Sequence, residues 1–244
     1  MADASKTPRH GVARVISRLG IGSRTQAAQW VREGRVQVNG RVVRDAGFPV
    51  RQGIDRIDIE GQQQHPAERM VLMLNKPRGL VTTTTDEQGR DTVYRCFDGA
   101  GLPWLAPVGR LDKASEGLLL FSNDPAWAAH ITDPQSGPDK TYHVQIDRLP
   151  TASLLSKLEH GAGMDGKHLT CKSVRCLRAG EKHAWLEIVL DEGRNRQIRR
   201  LLAACDVSVL RLVRVAVGPL TLGGLPKGQW RMLTGQEVLS LRPG

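Results

Sequence analysis

Residues 107–124 read Pro-Val-Gly-Arg-Leu-Asp-Lys-Ala-Ser-Glu-Gly-Leu-Leu-Leu-Phe-Ser-Asn-Asp. A charged, glycine-bearing loop runs directly into Gly117–Phe121, and no apolar run in the chain is longer. A short apolar run of this kind reads as a buried strand. Asp112 lies in the loop between Arg110 and Lys113. An acid in a loop beside a rigid strand is placed as catalytic residues often are. The two flanking cations favour its carboxylate form. The competing reading is a surface or turn-capping aspartate.

Outward from this stretch, strand-like runs dominate: Met70–Leu74 before it, then Thr141–Ile146, Ala184–Leu190 and Val207–Val217 after it. Helical spacing appears at Trp127–Ile131, Ala152–Glu159 and Asn195–Ala204, and a turn cluster at 133–139. Strands and helices do not alternate regularly, which argues against a doubly wound parallel sheet. The pattern predicts an α+β domain with a mixed, mostly antiparallel sheet flanked by helices.

Two further stretches carry candidate chemistry. If 195–205 is helical, Arg196, Arg199 and Arg200 fall on one face, and Ile198, Leu201, Leu202 and Cys205 on the other. Paired guanidinium donors suit a phosphate or a carboxylate, and a solvated helix face is the alternative. Lys140-Thr141-Tyr142-His143-Val144 places one of only two tyrosines near the start of a strand. Core packing is the usual fate of such a ring.

Ahead of residue 70 the pattern changes. Residues 1–8 read as a mobile tail. Val12, Val15, Ile16 and Leu19 recur at helical spacing within Arg9–Gly20, ended by Gly20 and Gly22. Ser23 to Gln26 fits a capping box opening a second helix that runs to Gly34. Asn39-Gly40 between Val36, Val38 and a valine pair signals a two-residue hairpin, and Ile54, Ile57 and Ile59 close the unit. Polar, aperiodic GQQQHPAER follows as a linker. The expected division is a small domain over 9–61, a linker over 62–69 and a larger domain over 70–244.

The 244 residues carry 35 Lys and Arg against 25 Asp and Glu, a net charge of +10 that points to a polyanionic partner. No apolar run approaches membrane-spanning length and the first ten residues hold no apolar signal core, so a cytoplasmic protein without membrane contact is expected. Aromatic residues are scarce, which disfavours a single-strand binder built on several stacking platforms. Cys96, Cys171, Cys176 and Cys205 form no zinc pattern and read as reduced thiols. There is no phosphate loop, dinucleotide fingerprint or serine-hydrolase elbow. Any catalyst here works from side chains, with neither metal nor cofactor.

The first segment resembles the S4 RNA-binding domain through Ser23-Arg24, Ala27, Val31, Gly34, Val36, Val38, Asn39 and Gly40. The rest resembles the RsuA/RluB/RluE/RluF group of ribosomal RNA pseudouridine synthases. The matching residues are Leu74-Asn75-Lys76-Pro77 with Gly79, Gly109-Arg110-Leu111-Asp112 with Gly117-Leu118-Leu119, Lys140-Thr141-Tyr142, and Glu192 to Arg200. Ser115 stands where the family usually has Thr, and Pro125 where Gly commonly follows Asn-Asp; the second change should affect only a turn.

That resemblance implies cofactor-free isomerisation of uridine to pseudouridine in ribosomal RNA, preferably of the large subunit. It implies Asp112 as the catalytic carboxylate, Tyr142 as the ring stacking on the flipped uracil, and Arg199 as the basic partner of Asp112. RNA contacts are expected from Arg14, Arg18, Ser23, Arg24 and Arg35 in the first domain. In the second they are expected from Lys76, Arg110, Lys113, Arg194, Arg196 and Arg200. A monomer is expected. The competing reading is a non-catalytic S4-domain ribosome-assembly protein, against which the Asp, Tyr and Arg set argues; a DNA-binding regulator lacks a recognition helix.

Overall fold

The computed structural model describes residues 8–60, 62–63, 68–84, 86–164 and 167–241. Residues 1–7 of the expected tail and 64–67 of the expected linker lie outside them. Two compact units emerge. One joins the chain up to Met70 with Gly99–Ala106 and Ser122–Pro125; the other joins Val71–Asp98, Pro107–Phe121 and Ala126 onward. Where one cut was expected at Met70, the chain returns twice to the first unit.

The first unit runs β1 (Arg9–Gly11), α1 (Val12–Arg18), α2 (Arg24–Arg32), β2 (Val36–Val38), β3 (Arg41–Val42), β4 (Pro49–Arg51), β5 (Ile57–Ile59) and β6 (Gln62–Gln63). The helix expected from Arg9 begins at Val12, because Arg9, His10 and Gly11 pair with Arg51, Val50 and Pro49. Ser23 Oγ accepts from Gln26 N at 3.0 Å and caps α2. Asn39 and Gly40 take φ of 51° and 79° between β2 and β3; positive φ at both central residues is what a type I′ turn requires. Two expectations fail. Gln62–Gln63, read as linker, pairs with Ile59 and Asp58 as an edge strand. Ile54 lies in a turn and is 46% exposed, so it is outside the core. Val12, Val15, Ile16, Ala27, Val31, Val36, Val38, Ile57 and Ile59 pack together, each large side chain worth about 1.5–3 kcal/mol on burial.

The second unit is built on β7 (Val71–Lys76), β8 (Ala106–Val108), β9 (Glu116–Ser122), α3 (Pro125–Thr132), β10 (Lys140–Ile146), α4 (Ala152–His160) and the β11–β12 hairpin (Ala162–Met164, Lys167–Leu169). It continues through β13 (Ser173–Ala179), β14 (Ala184–Leu190), α5 (Gln197–Ala203), β15 (Val209–Val217), β16 (Leu220–Thr221), β17 (Trp230–Met232) and α6 (Gly235–Ser240). A nine-stranded sheet has the order β13-β14-β10-β15-β9-β7-β17, with β8 on β9 and β16 on β15. β10 is antiparallel to both neighbours, while β15 and β9 pair in parallel. The mixed, mostly antiparallel sheet is as the sequence predicted.

Gly117 explains part of the motif that carries it. Its φ is +99°, and a Cβ there would lie 2.2 Å from Arg214 O, so only glycine lets β9 approach β15. Pro125 is the first residue of α3, where its fixed φ suits a helix start; it does more than alter a turn. α4 and α5 cover one face of the sheet, with Val144, Ile146, Leu186, Ile188, Leu158, Leu201 and Leu202 buried between them. Side chains alternate along a strand, so Lys140 and Tyr142 project from the face that Val144 and Ile146 share.

Candidate active site

At the end of that face lies a cleft of about 680 Å³, bordered by Asp112, Tyr142, Arg110, Lys113, Arg196 and Arg199. The sequence motifs separated by up to 89 residues thus meet in one place. Asp112 is not deeply buried; its side chain is 34% exposed at the cleft wall.

What fixes Asp112 is its backbone. Five successive carbonyls of the loop each accept a hydrogen bond: Thr82 Oγ1 donates to Leu111 O at 2.7 Å, Lys76 Nζ to Asp112 O at 3.2 Å, Gly79 N to Lys113 O at 2.8 Å, Arg199 Nη2 to Ala114 O at 3.3 Å, and Lys76 Nζ to Ser115 O at 2.9 Å. Ser115 N also donates to Asp112 O at 2.9 Å. Buried carbonyls are costly to leave without a donor, so the loop has one shape and its carboxylate one origin.

Lys76 therefore contradicts its expected place. It is 0% exposed, and its ammonium is taken by the carbonyls of Pro77, Asp112 and Ser115. It cannot reach a phosphate, and it positions the loop instead. Burial lowers its pKa to about 8, against which the Asp112 charge acts.

The ion pair with Asp112 is also made by a different arginine than expected. Arg196 Nη1 lies 3.3 Å from Asp112 Oδ2, whereas Arg199 donates to the carbonyls of Ala114 and Val209. The reason is local. α5 starts at Gln197, not Asn195, and Arg196 precedes it in the left-handed region with φ 51° and ψ 32°. Arg196 leaves the helical face it was expected to share with Arg199 and Arg200, and its side chain swings to the loop. A non-glycine residue pays about 1–2 kcal/mol for that conformation, and such strain gathers at functional sites. Arg199 stays within electrostatic range of Asp112. Burial and the like charges of Arg196 and Arg78 lower its pKa, and Asp112 opposes them.

The unusual turn is held by Gln197, which the sequence reading missed. Its buried amide donates to Thr170 O at 3.0 Å and Glu192 Oε1 at 2.8 Å, and its oxygen accepts from Arg194 N at 3.1 Å. Arg194 is itself engaged, donating to Glu192 at 2.8 Å and to His168 O at 3.0 Å. Arg110 and Lys113 are exposed at the cleft and meet no carboxylate among the described residues. Arg200 is half-buried on α5.

In the first unit, Arg14 and Arg24 are exposed and Arg18 half-exposed, without a carboxylate partner among the described residues. Arg35 differs from expectation: Glu33 at 3.2 Å and Glu60 at 2.5 Å hold it, over the Trp30 ring. Ser23 uses its oxygen as the helix cap. The four cysteines are free thiols, Cys171 buried and Cys176 exposed.

Comparison with known proteins agrees with this geometry. The RNA pseudouridylate synthase family model matches residues 70–204, and the S4 domain model matches residues 12–54. The chain is 36% identical to ribosomal large subunit pseudouridine synthase B of Bacillus subtilis (strain 168), covering 94% of each. It is 33% identical to an RNA pseudouridine synthase of Aquifex aeolicus (strain VF5), over 94% of this chain and 92% of that one. A crystal structure of a pseudouridylate synthase superposes with a TM-score of 0.66 at 29% identity, covering 96% of this chain and 100% of the other. Charge, motif order, sheet and cleft converge with these matches: the chain belongs to the RNA pseudouridylate synthase family and carries an S4 domain ahead of its synthase fold.

Proposed function

We propose that this RNA pseudouridine synthase isomerises a uridine of large-subunit ribosomal RNA, acting as a cytoplasmic monomer with Asp112, Tyr142 and Arg199 at its catalytic centre. The observation that carries the reading is the loop of Asp112, clamped at five carbonyls beside Tyr142 in a cation-lined cleft. The large-subunit preference rests on the likeness to the Bacillus subtilis enzyme.

A uridine stacked in folded RNA cannot turn about its glycosidic bond, so it is flipped into the cleft at a cost of a few kcal/mol. Tyr142 offers a ring on which the base stacks, worth about 1–3 kcal/mol. Asp112 then meets the sugar, either bonding to C1′ or taking the C2′ proton, as the C1′–N1 bond breaks. The base turns and C5 joins C1′ as the bond to Asp112 breaks or its proton returns to C2′; the hydrogen lost from C5 is balanced by the proton N1 gains. Arg196 pairs with the carboxylate, Arg199 holds its loop through Ala114 O, and Arg110 and Lys113 meet phosphates at the rim. Residues 9–61 dock the RNA through Arg14, Arg18 and Arg24, contacts that position without reading sequence.

The test is a pseudouridine map of ribosomal RNA from cells with and without the protein. Loss of one defined pseudouridine in the large subunit is expected; an unchanged map, or a loss confined to the small subunit, overturns the assignment.

A further inference from the structure

Two further cations, Lys140 and Arg214, line the cleft. Lys140 is 8% exposed and Arg214 7% exposed. They lie on adjacent strands around Tyr142: Lys140 precedes it by two residues on β10, and Arg214 is its partner across the ladder on β15. All three border the cleft. Among the described residues, no hydrogen bond or ion pair reaches Lys140 Nζ. Three acids, Asp139, Asp191 and Asp133, act on it only at range, and the first is engaged by Lys172 at 2.7 Å. Arg214 Nε donates to Leu118 O at 2.7 Å. Burial first, and Arg214 second, lower the pKa of Lys140.

Two neighbouring buried cations without a carboxylate between them are unfavourable unless an anion arrives. Phosphates stay on the backbone of the RNA, where the exposed Arg110 and Lys113 meet them at the rim. The base is the part of a flipped nucleotide that goes to the depth of Tyr142. We propose that Lys140, supported by Arg214, holds the negative charge of the uracil while it is detached from the sugar.

The electron count requires such a holder. When C1′–N1 breaks, its electron pair leaves with the base, and the uracil becomes an anion with charge shared among N1, O2 and O4. The sugar is neutralised at Asp112, by an ester bond to C1′ or by transfer of the C2′ proton to the carboxylate. Rejoining gives C1′ a pair from C5 as the C1′–O bond to Asp112 breaks, or as Asp112 returns the proton to C2′; the C5 proton then leaves and N1 is protonated. A desolvated ammonium beside the stacked ring lowers the energy of the charged state and of the transition states on each side. It also keeps the base from escaping while it turns.

This inference rests on the roles given to Asp112 and Tyr142, and its test separates the two. Single-turnover rates are measured with the full chain on large-subunit rRNA transcribed with uridine, and on the same transcript containing 5-fluorouridine, whose fluorine stabilises the base anion unaided. Lys140→Met is expected to slow uridine conversion about 10²–10³-fold while RNA affinity stays within threefold, and Lys140→Arg to recover at least tenfold of that loss. On 5-fluorouridine, followed as its disappearance from the RNA, the Lys140→Met defect is expected to shrink at least tenfold. An equal defect on both transcripts makes Lys140 structural; a loss of RNA affinity makes it a phosphate contact; full activity leaves it without a role. Each overturns the proposal. Turnover retained in Asp112→Asn would instead overturn the reading beneath it.

Discussion

Lys76 Nζ donates to the main-chain oxygen of Asp112 at 3.2 Å from a position with no solvent exposure. A buried ammonium thus aims a carboxylate without touching it. Because burial holds the pKa of Lys76 near 8 rather than 10.5, the clamp depends on pH. Above about 8 the group loses a proton and one of the three donors its carbonyls use. The folded state is not weakened by that step: between about 8 and 10.5 the unfolded chain binds the extra proton, so this group's contribution to stability rises with pH.

Turnover is therefore predicted to fall along an alkaline limb centred near pH 8, with no matching fall in thermal stability. Lys76→Met, which leaves three carbonyls without a donor, is predicted to lower kcat about 10²-fold, to leave RNA affinity unchanged and to abolish that limb. A pH–rate profile of both proteins checks this.

Arg196 and Arg199 are predicted to separate in kind. Arg196 is half-exposed at the cleft mouth, so Arg196→Gly, which keeps the left-handed backbone, should flatten the salt dependence of RNA binding by roughly 0.7–0.9 in log–log slope. Arg199→Met frees Ala114 O and should lower kcat with the salt slope unchanged. Binding titrations at several salt concentrations, beside single-turnover rates, distinguish them.

Much of this was legible from residues alone, and the failures have physical causes. The Ser23 cap, the Asn39-Gly40 hairpin and the run into β9 are local signals, each set by side chains within a few positions. The meeting of Asp112 with Tyr142 was implied by the family resemblance alone. The true partner of Asp112 was hidden because one left-handed residue, Arg196, breaks the helical periodicity on which the expectation rested. Lys76 was misplaced because a lysine next to proline carries no sign of burial; its partners are backbone carbonyls 36 and 39 residues away. Lys140 and Gln197 stood inside the matched motifs, but nothing in their neighbours signalled burial or a role of their own. β13 and β17 have no clean alternation, since edge strands need not bury one face.

Gln197→Leu is predicted to remove three hydrogen bonds at a buried amide and to cost about 2 kcal/mol, a fall of about 4–8 °C in Tm. Activity should drop further than stability, because Arg196 loses its conformation. Calorimetry and turnover on the same samples test this.

In the synthase unit, Glu116 pairs with Arg211 at 2.9 Å and with Lys227, and hydrogen bonds from Arg211 lead in holding its pKa down at about 2. A depressed carboxylate contributes stability above its unfolded pKa of 4.5 and loses it as pH falls toward 2. Glu116→Gln is predicted to lower stability at neutral pH and to flatten its decline between pH 4.5 and 2, measured by denaturant titration.

In the first unit, Arg14, Arg18 and Arg24 changed together to Ala should weaken RNA binding and reduce the salt slope by about two. Arg35→Ala, whose charge is already met by Glu33 and Glu60, should leave the slope unchanged. Filter binding across salt concentrations measures both.

The most direct test of the central claim is single-turnover pseudouridine formation by Asp112→Asn on large-subunit rRNA, with RNA affinity measured alongside. A clamped carboxylate that performs the chemistry predicts no detectable product and a Kd within a few fold of the unaltered protein. Product formed at a rate near that of the unaltered protein would contradict it.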